Sequence, residues 1–156
     1  MKINLNGIPI AQQRHRYCRS GNKIICYNPQ AKEKEAVKGV LKKICDKYKE
    51  GSKFFAGSVF KVKLDFYLPN PICSKGGALK SFLAHANYHT RKPDIDNLIK
   101  FYLDCISGTI IPDDKCIVEL HSSKQYDHNP RTEINIMQED VIELPLEVSI
   151  ILNKID

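Results

Sequence analysis

The clearest pattern in the chain is an alternation. Between residues 59 and 68, Phe60, Val62, Leu64 and Phe66 fall on one side, and Lys61, Lys63 and Asp65 on the other. A period of two is the mark of a strand buried on one face. Two other stretches repeat at helical spacing. Val37, Val40, Leu41, Ile44 and Tyr48 form one stripe, with Lys34, Lys38 and Lys42 on another face, and Asn28-Pro29 reads as the start of this helix over residues 29–49. Ile95, Leu98, Ile99, Tyr102 and Ile106 form a second stripe over residues 94–107, which Gly108 ends. Further strands are predicted at residues 2–5, at 23–27 after a turn at Ser20-Gly21-Asn22, at 116–126 and at 132–137. Residues 69–92 form one long connection with Pro69, Pro71, Gly76 and Gly77, and a loop of that length inside a compact domain carries function or moves. A last alternation places Leu144, Leu146, Val148, Ile150 and Leu152 on one face. The order β-β-β-α-β-α-β-β predicts an α+β fold, a single-domain mixed β-sheet with two main helices packed on one side.

At 156 residues the chain fits one domain over 1–156, with residues 138–156 as a C-terminal extension of unassigned role. No apolar run reaches the ~18–20 residues that span a bilayer, and Met1–Gly7 has no secretory pattern, so the expected location is cytoplasmic, with no membrane partner. The six cysteines show no CxxC pair and no zinc-finger spacing, and several stand in apolar runs, as Cys26 and Cys105 do. The expectation is reduced core thiols.

Charge changes the picture more than composition does. Residues 1–100 hold 20 Lys/Arg against 7 Asp/Glu, a balance of +13, and residues 101–156 hold 4 against 11, a balance of −7, which together give the net +6. Cations beside a carboxylate-rich segment suit an enzyme that cleaves phosphodiesters with a metal, although lysine-rich solvated helices are common without any such role.

The carboxylates concentrate in Arg91-Lys92-Pro93-Asp94-Ile95-Asp96-Asn97-Leu98-Ile99-Lys100. Pro93 favours an extended entry, Asp94 is placed to cap a helix, and Asp96 lies in its first turn, where the dipole favours negative charge. Asp96, Lys100 and Asp104 follow at i, i+4 and i+8 along a polar stripe. Taken alone, Asp94 reads equally as a plain cap and Asp96–Lys100 as a surface pair. A second acidic cluster, Pro112-Asp113-Asp114, follows the helix and reads either as a third carboxylate for a metal or as turn chemistry.

Lys-Pro-Asp-Ile-Asp-Asn-Leu-Ile-Lys, an Asp four residues on, and Asp-Asp after a short loop together resemble the signature of the RusA family of Holliday-junction resolvases. The resemblance covers roughly residues 1–137, taking in the N-terminal strand, basic turn and hairpin of 1–27, the helix of 29–49 and the strand of 58–68. It implies a homodimeric crossover junction endodeoxyribonuclease that binds four-way DNA and nicks two strands symmetrically in recombination and repair. It implies a Mg2+ site, for which Mn2+ can substitute, and no small-molecule cofactor. Matched by position, Asp94, Asp96 and Asp114 stand for the family's essential, metal-binding aspartates and Lys100 for its essential lysine, while Asp113 and Asp104 match further acidic positions.

For the DNA, Arg14, Arg16 and Arg19 sit together around Tyr17, and Arg91 and Lys92 flank the acidic motif. Such groups contact phosphates and position a duplex without reading sequence. The lysines of residues 29–49 read as a solvated face. His85 and His89 read as loop histidines with local hydrogen bonds, since Mg2+ prefers oxygen and their spacing fits no zinc motif. An alternative is a non-catalytic DNA-binding module in which the acidic motif is structural. A more distant one takes Asp94-x-Asp96 as the DxD of a nucleotide-sugar transferase, which would need a nucleotide-binding domain that 156 residues and no Gly-rich loop leave little room for.

Overall fold

A computed structural model of the chain describes residues 1–21, 23–47, 58–69 and 88–139. The predicted strand pattern of 141–152 and most of the 69–92 connection, including His85, lie outside the described residues. The elements run β1 (Lys2–Asn6), β2 (Arg16–Ser20), β3 (Lys23–Tyr27), α1 (Ala31–Lys47), β4 (Val59–Pro69), α2 (Ile95–Ile106), β5 (Ile117–Asp127) and β6 (Arg131–Glu139), with a short 3-10 turn at Asp114–Cys116. This is the predicted order.

Four strands form one mixed sheet in the order β1-β6-β4-β5, and β2 and β3 form a separate two-stranded ribbon. β4 pairs antiparallel with β6 and parallel with β5, which β6 in turn follows in sequence without being its neighbour. Parallel neighbours need a long crossover, and here α2 lies within it. Along β4 the alternation holds: Phe60, Val62, Leu64, Phe66 and Leu68 are buried, while Lys61, Lys63, Asp65 and Tyr67 face the other, open side. That open side is laced by charge pairs such as Lys61–Glu119 and Lys63–Asp65, and the Arg131 guanidinium lies 3.7 Å over the Tyr67 ring.

The helices cover the buried face. α2 contributes Leu98, Phe101, Tyr102, Cys105 and Ile106 to the core, where each fully buried large apolar side chain adds about 1.5–3 kcal/mol. The stripe is rotated from the one predicted. Phe101 and Cys105 are fully buried, and Ile95 is exposed at the helix start. Burial pushes the Cys105 thiol up to about 11. The helix stops at Ser107, and Gly108 takes the left-handed φ of 72° that a side chain resists.

α1 starts two residues later than predicted. The Asn28 side chain accepts the Gln30 N–H at 2.9 Å, so it closes the turn before the helix. Leu41 is fully buried and Val37 and Ile44 partly so, but Val40 is exposed at the rim of the stripe, and Tyr48 lies outside the described residues. Lys34, read as solvated, is only 14% exposed in its side chain and pairs with Asp104 of α2 at 2.5 Å. The thiols also divide. Cys105 is buried and Cys45 and Cys116 partly buried, yet Cys18 and Cys26 are exposed free thiols, because both faces of the β2–β3 ribbon are open.

Candidate active site

The acidic motif opens α2. Asp94 occupies the N-cap position with an extended backbone, as expected, but its side chain makes no capping hydrogen bond. Asp94 is exposed, and its carboxylate is unspent among the described residues. Asp96, in the first turn, is exposed as well and accepts only a long 3.3 Å contact from the neighbouring Asn97 amide. No ion pair joins Asp96 to Lys100, so the surface-pair reading of that i, i+4 spacing finds no support in the geometry. Both carboxylates stand where the first N–H groups of the helix favour negative charge.

The basic N-terminal segment lies against this helix. The Gln12 N–H donates to the Asn97 carbonyl at 2.8 Å, and the Ile10 N–H donates to the Tyr102 hydroxyl at 3.2 Å. Gln30, buried to 3% exposure, fixes the same segment from the other side. Its amide accepts from Gln13 N–H at 2.6 Å and donates to the Ala11 carbonyl at 2.9 Å. The result is an open depression of about 520 Å³ in which Arg14, His15 and Tyr17 face Lys34, Asn97, Lys100 and Asp104. Arg14 and Lys100, 86 positions apart in sequence, therefore share one surface. Arg16 and Arg19 continue away from it along β2, exposed, with Arg19 Nε donating to the Gly21 carbonyl at 3.2 Å.

Asp104 is at the other side of that depression, with its charge balanced by Lys34, whose ammonium also lies 5.9 Å from the centre of the Phe101 ring. Its position reads as an α1–α2 tie. The second acidic pair follows the far end of α2. Asp113 caps the 3-10 turn by accepting the Lys115 N–H at 3.1 Å. That bond first, and the adjoining Asp114 carboxyl second, hold the Asp113 carboxyl below its usual range. Asp114 is exposed at the foot of β5. From Ile117 to Lys124, which touches the segment entering α2, β5 climbs about 23 Å. The structure thus brings Asp94, Asp96, Lys100 and Arg14 to one region and leaves Asp113 and Asp114 in another. Among the described residues no group of three or more His, Cys, Asp or Glu side chains gathers around one point.

Chemically the donors still suit a hard cation. Asp94 and Asp96 offer oxygen only, have among the described residues no partner beyond the long Asn97 contact to Asp96, and stand two residues apart, which fits the few protein ligands Mg2+ takes beside its waters. Asp114 would have to come to them from elsewhere.

The segment entering the helix is fastened to β5. The His89 N–H donates to the Lys124 carbonyl at 3.0 Å, and Tyr88 bridges Gln125 in antiparallel fashion. The Lys124 ammonium donates to the carbonyls of Arg91 at 2.8 Å and Pro93 at 2.7 Å. Arg91 and Lys92 are themselves exposed. His89, read as a loop histidine with local hydrogen bonds, is buried against Tyr126 with ring centroids 4.5 Å apart. Burial first, and the charge of Lys124 second, push its pKa below the usual 6.5. Gln30, Lys34 and Lys124 carry no sequence signal, since each is an ordinary polar residue in a polar stretch whose partner is distant in the chain.

Residues 6–137 match the family of endodeoxyribonuclease RusA, and the chain belongs to that family. The chain is also similar to the uncharacterized protein YqaN of Bacillus subtilis (strain 168), 41% identical over 49 residues, which span 31% of this chain and 34% of that protein.

No helix among the described residues is long and apolar enough to cross a membrane.

Proposed function

We propose that this protein is a Mg2+-dependent endodeoxyribonuclease that acts as a homodimer on four-way DNA junctions and nicks two strands symmetrically. The observation that carries this reading, in a chain of the RusA family, is the pair of unspent carboxylates, Asp94 and Asp96, at the α2 N-terminus beside the surface shared by Arg14 and Lys100.

Asp94 and Asp96 would hold the ion, and Asp114, by its match to the family's second acidic motif, would be the third carboxylate. An ion so held supplies an activated water and offsets charge on the scissile phosphate, and Mn2+ can take its place. Lys100, one turn after Asp96, adds positive charge where the pentavalent phosphorus develops negative charge. Arg14, Arg16, Arg19, Arg91 and Lys92 contact backbone phosphates. The charge balance supports that role, since the first acidic residue of the chain is Glu33 and the whole β2–β3 ribbon is without a carboxylate. Such a ribbon is marginal alone in water, and its exposed Tyr17 and Ile24 fit a part that settles on a partner.

The distance of Asp114 from the helix mouth favours one second reading, a junction-binding module whose acidic motifs are structural. One assay separates the two. Purified protein is incubated with a synthetic four-way junction and with linear duplex, each in Mg2+ or in EDTA. The nuclease reading expects paired, symmetric nicks on the junction in Mg2+ alone. Absence of paired nicks, or equal cutting of linear duplex, overturns it, and binding without cleavage in both media supports the module.

A further inference from the structure

We propose that Lys124 is the positioning residue of the α2 mouth, fixing Asp94 and Asp96 in their working orientation by clamping the two carbonyls that precede them. The inference rests on the nuclease reading for its functional consequence, while the clamp itself rests on the hydrogen bonds.

Lys124 lies in β5 opposite Phe66, a side chain with no exposure at the centre of the core. Its ammonium reaches out of that rigid position and donates to Arg91 O and Pro93 O at 2.8 and 2.7 Å. The Pro93 carbonyl and the Asp94 Cα belong to one planar peptide unit, so holding the carbonyl holds that Cα and leaves only φ, here −72°, to set the direction in which the Asp94 side chain leaves the backbone. Asp94 O in turn accepts the Leu98 N–H at 3.2 Å, the first bond of the helix that carries Asp96. The chain of constraint therefore runs from core to Lys124, to Pro93, to Asp94 and to the first turn.

Helix stability alone does not select this arrangement. A cation near a helix N-terminus stands at the positive end of the dipole. It is held here by the Arg91 and Pro93 carbonyls, which accept two of its N–H groups. The ammonium has three N–H groups and spends two on these carbonyls, and among the described residues no carboxylate pairs with it. Nor does the segment depend on Lys124's side chain for its place in the fold. The His89 N–H to Lys124 O bond and the Tyr88–Gln125 bridge use backbone groups and do not involve the Lys124 side chain.

The test compares the full chain with Lys124→Met, which keeps length and loses all donors, and Lys124→Arg, which restores a cation with N–H donors enough for both carbonyls. Three readouts are taken: amide hydrogen exchange at Leu98 and Ile99, junction affinity in EDTA, and the single-turnover cleavage rate as Mg2+ is raised. For Lys124→Met the expected results are faster exchange at Leu98 and Ile99, affinity within about twofold, a higher half-saturating Mg2+ concentration and a rate about 10- to 100-fold lower. Lys124→Arg is expected to recover most of the exchange protection and most of the rate. Unchanged exchange in Lys124→Met overturns the clamp. Faster exchange with an unchanged rate overturns its positioning role, and so does a loss that Lys124→Arg fails to restore. If the parent chain itself never cleaves a junction, the nuclease reading falls, and the exchange data alone decide the clamp. Should Lys124→Met not fold, Lys124→Gln takes its place under the same criteria.

Discussion

Helix α2 and the β2–β3 ribbon border the same depression, one through Asn97, Lys100 and Asp104, the other through the adjoining Tyr17. α2 buries five side chains in the core, is tied to α1 by Lys34–Asp104 and has its entrance clamped by Lys124. Every residue of β2 and β3 is exposed. A carboxylate that must meet a metal ion within tenths of an ångström needs the first kind of support. A cation that follows a phosphate backbone needs only reach and charge, and it can stand on the second. The difference teaches that the two regions should fail differently when altered.

The largest expected effect is on the helix side. Phe101→Ala removes a fully buried ring that packs on Tyr102 at 5.3 Å between centroids, and it should lower unfolding stability by about 3–5 kcal/mol. Urea denaturation measures it, and a loss below 1 kcal/mol would mean that α2 is not built into the core as described. On the ribbon side the sign of the comparison reverses. The Arg14→Ala/Arg16→Ala double variant should leave stability within about 0.5 kcal/mol, since both side chains are exposed. It should weaken junction binding and reduce the salt dependence of log K by roughly 2. Unchanged affinity and slope would remove these arginines from the interface.

The smallest effect concerns the segment that joins the motif to β5. His89 is held below its unfolded pKa, so the fold favours the neutral ring. Its contribution to stability is then complete above about pH 6.5 and is lost as the pH falls from there through the lowered folded value. Urea midpoints at pH 7.5 and 5.5 should differ more in the parent than in His89→Phe. Equal differences would show that the ring titrates as it does in the unfolded chain.

Much of this architecture was legible in the residues. The β4 alternation survives because a strand with one face on the core has no freedom in its period, and Gly108 ends α2 because the left-handed turn excludes side chains. Asp94 at the helix start was legible for the same reason, since Pro-Asp punctuation is local chemistry. What escaped was set by tertiary geometry. The rotation of the α2 stripe toward Phe101 and Cys105, the exposure of Val40 and Cys26, and the burial of Lys34 depend on which neighbours cover each face. The site divided along the same line. Asp94, Asp96 and Lys100 are neighbours on one helix, and spacing alone placed them together. Arg14 joined them through the Gln30 and Asn97 hydrogen bonds, which no spacing encodes, while Asp114 stayed at the foot of a strand that climbs away from it.

The central claim is that the mouth of α2 is the cleavage centre. Single-turnover cleavage of a four-way junction in Mg2+ by the parent and by Asp96→Asn, at protein concentrations that saturate binding in both, tests it most directly. Loss of a metal-binding carboxylate should remove several kcal/mol of transition-state stabilisation, so Asp96→Asn should bind the junction as the parent does and cleave it about 10³-fold more slowly or not at all. Cleavage by Asp96→Asn at the parent's rate would contradict the account.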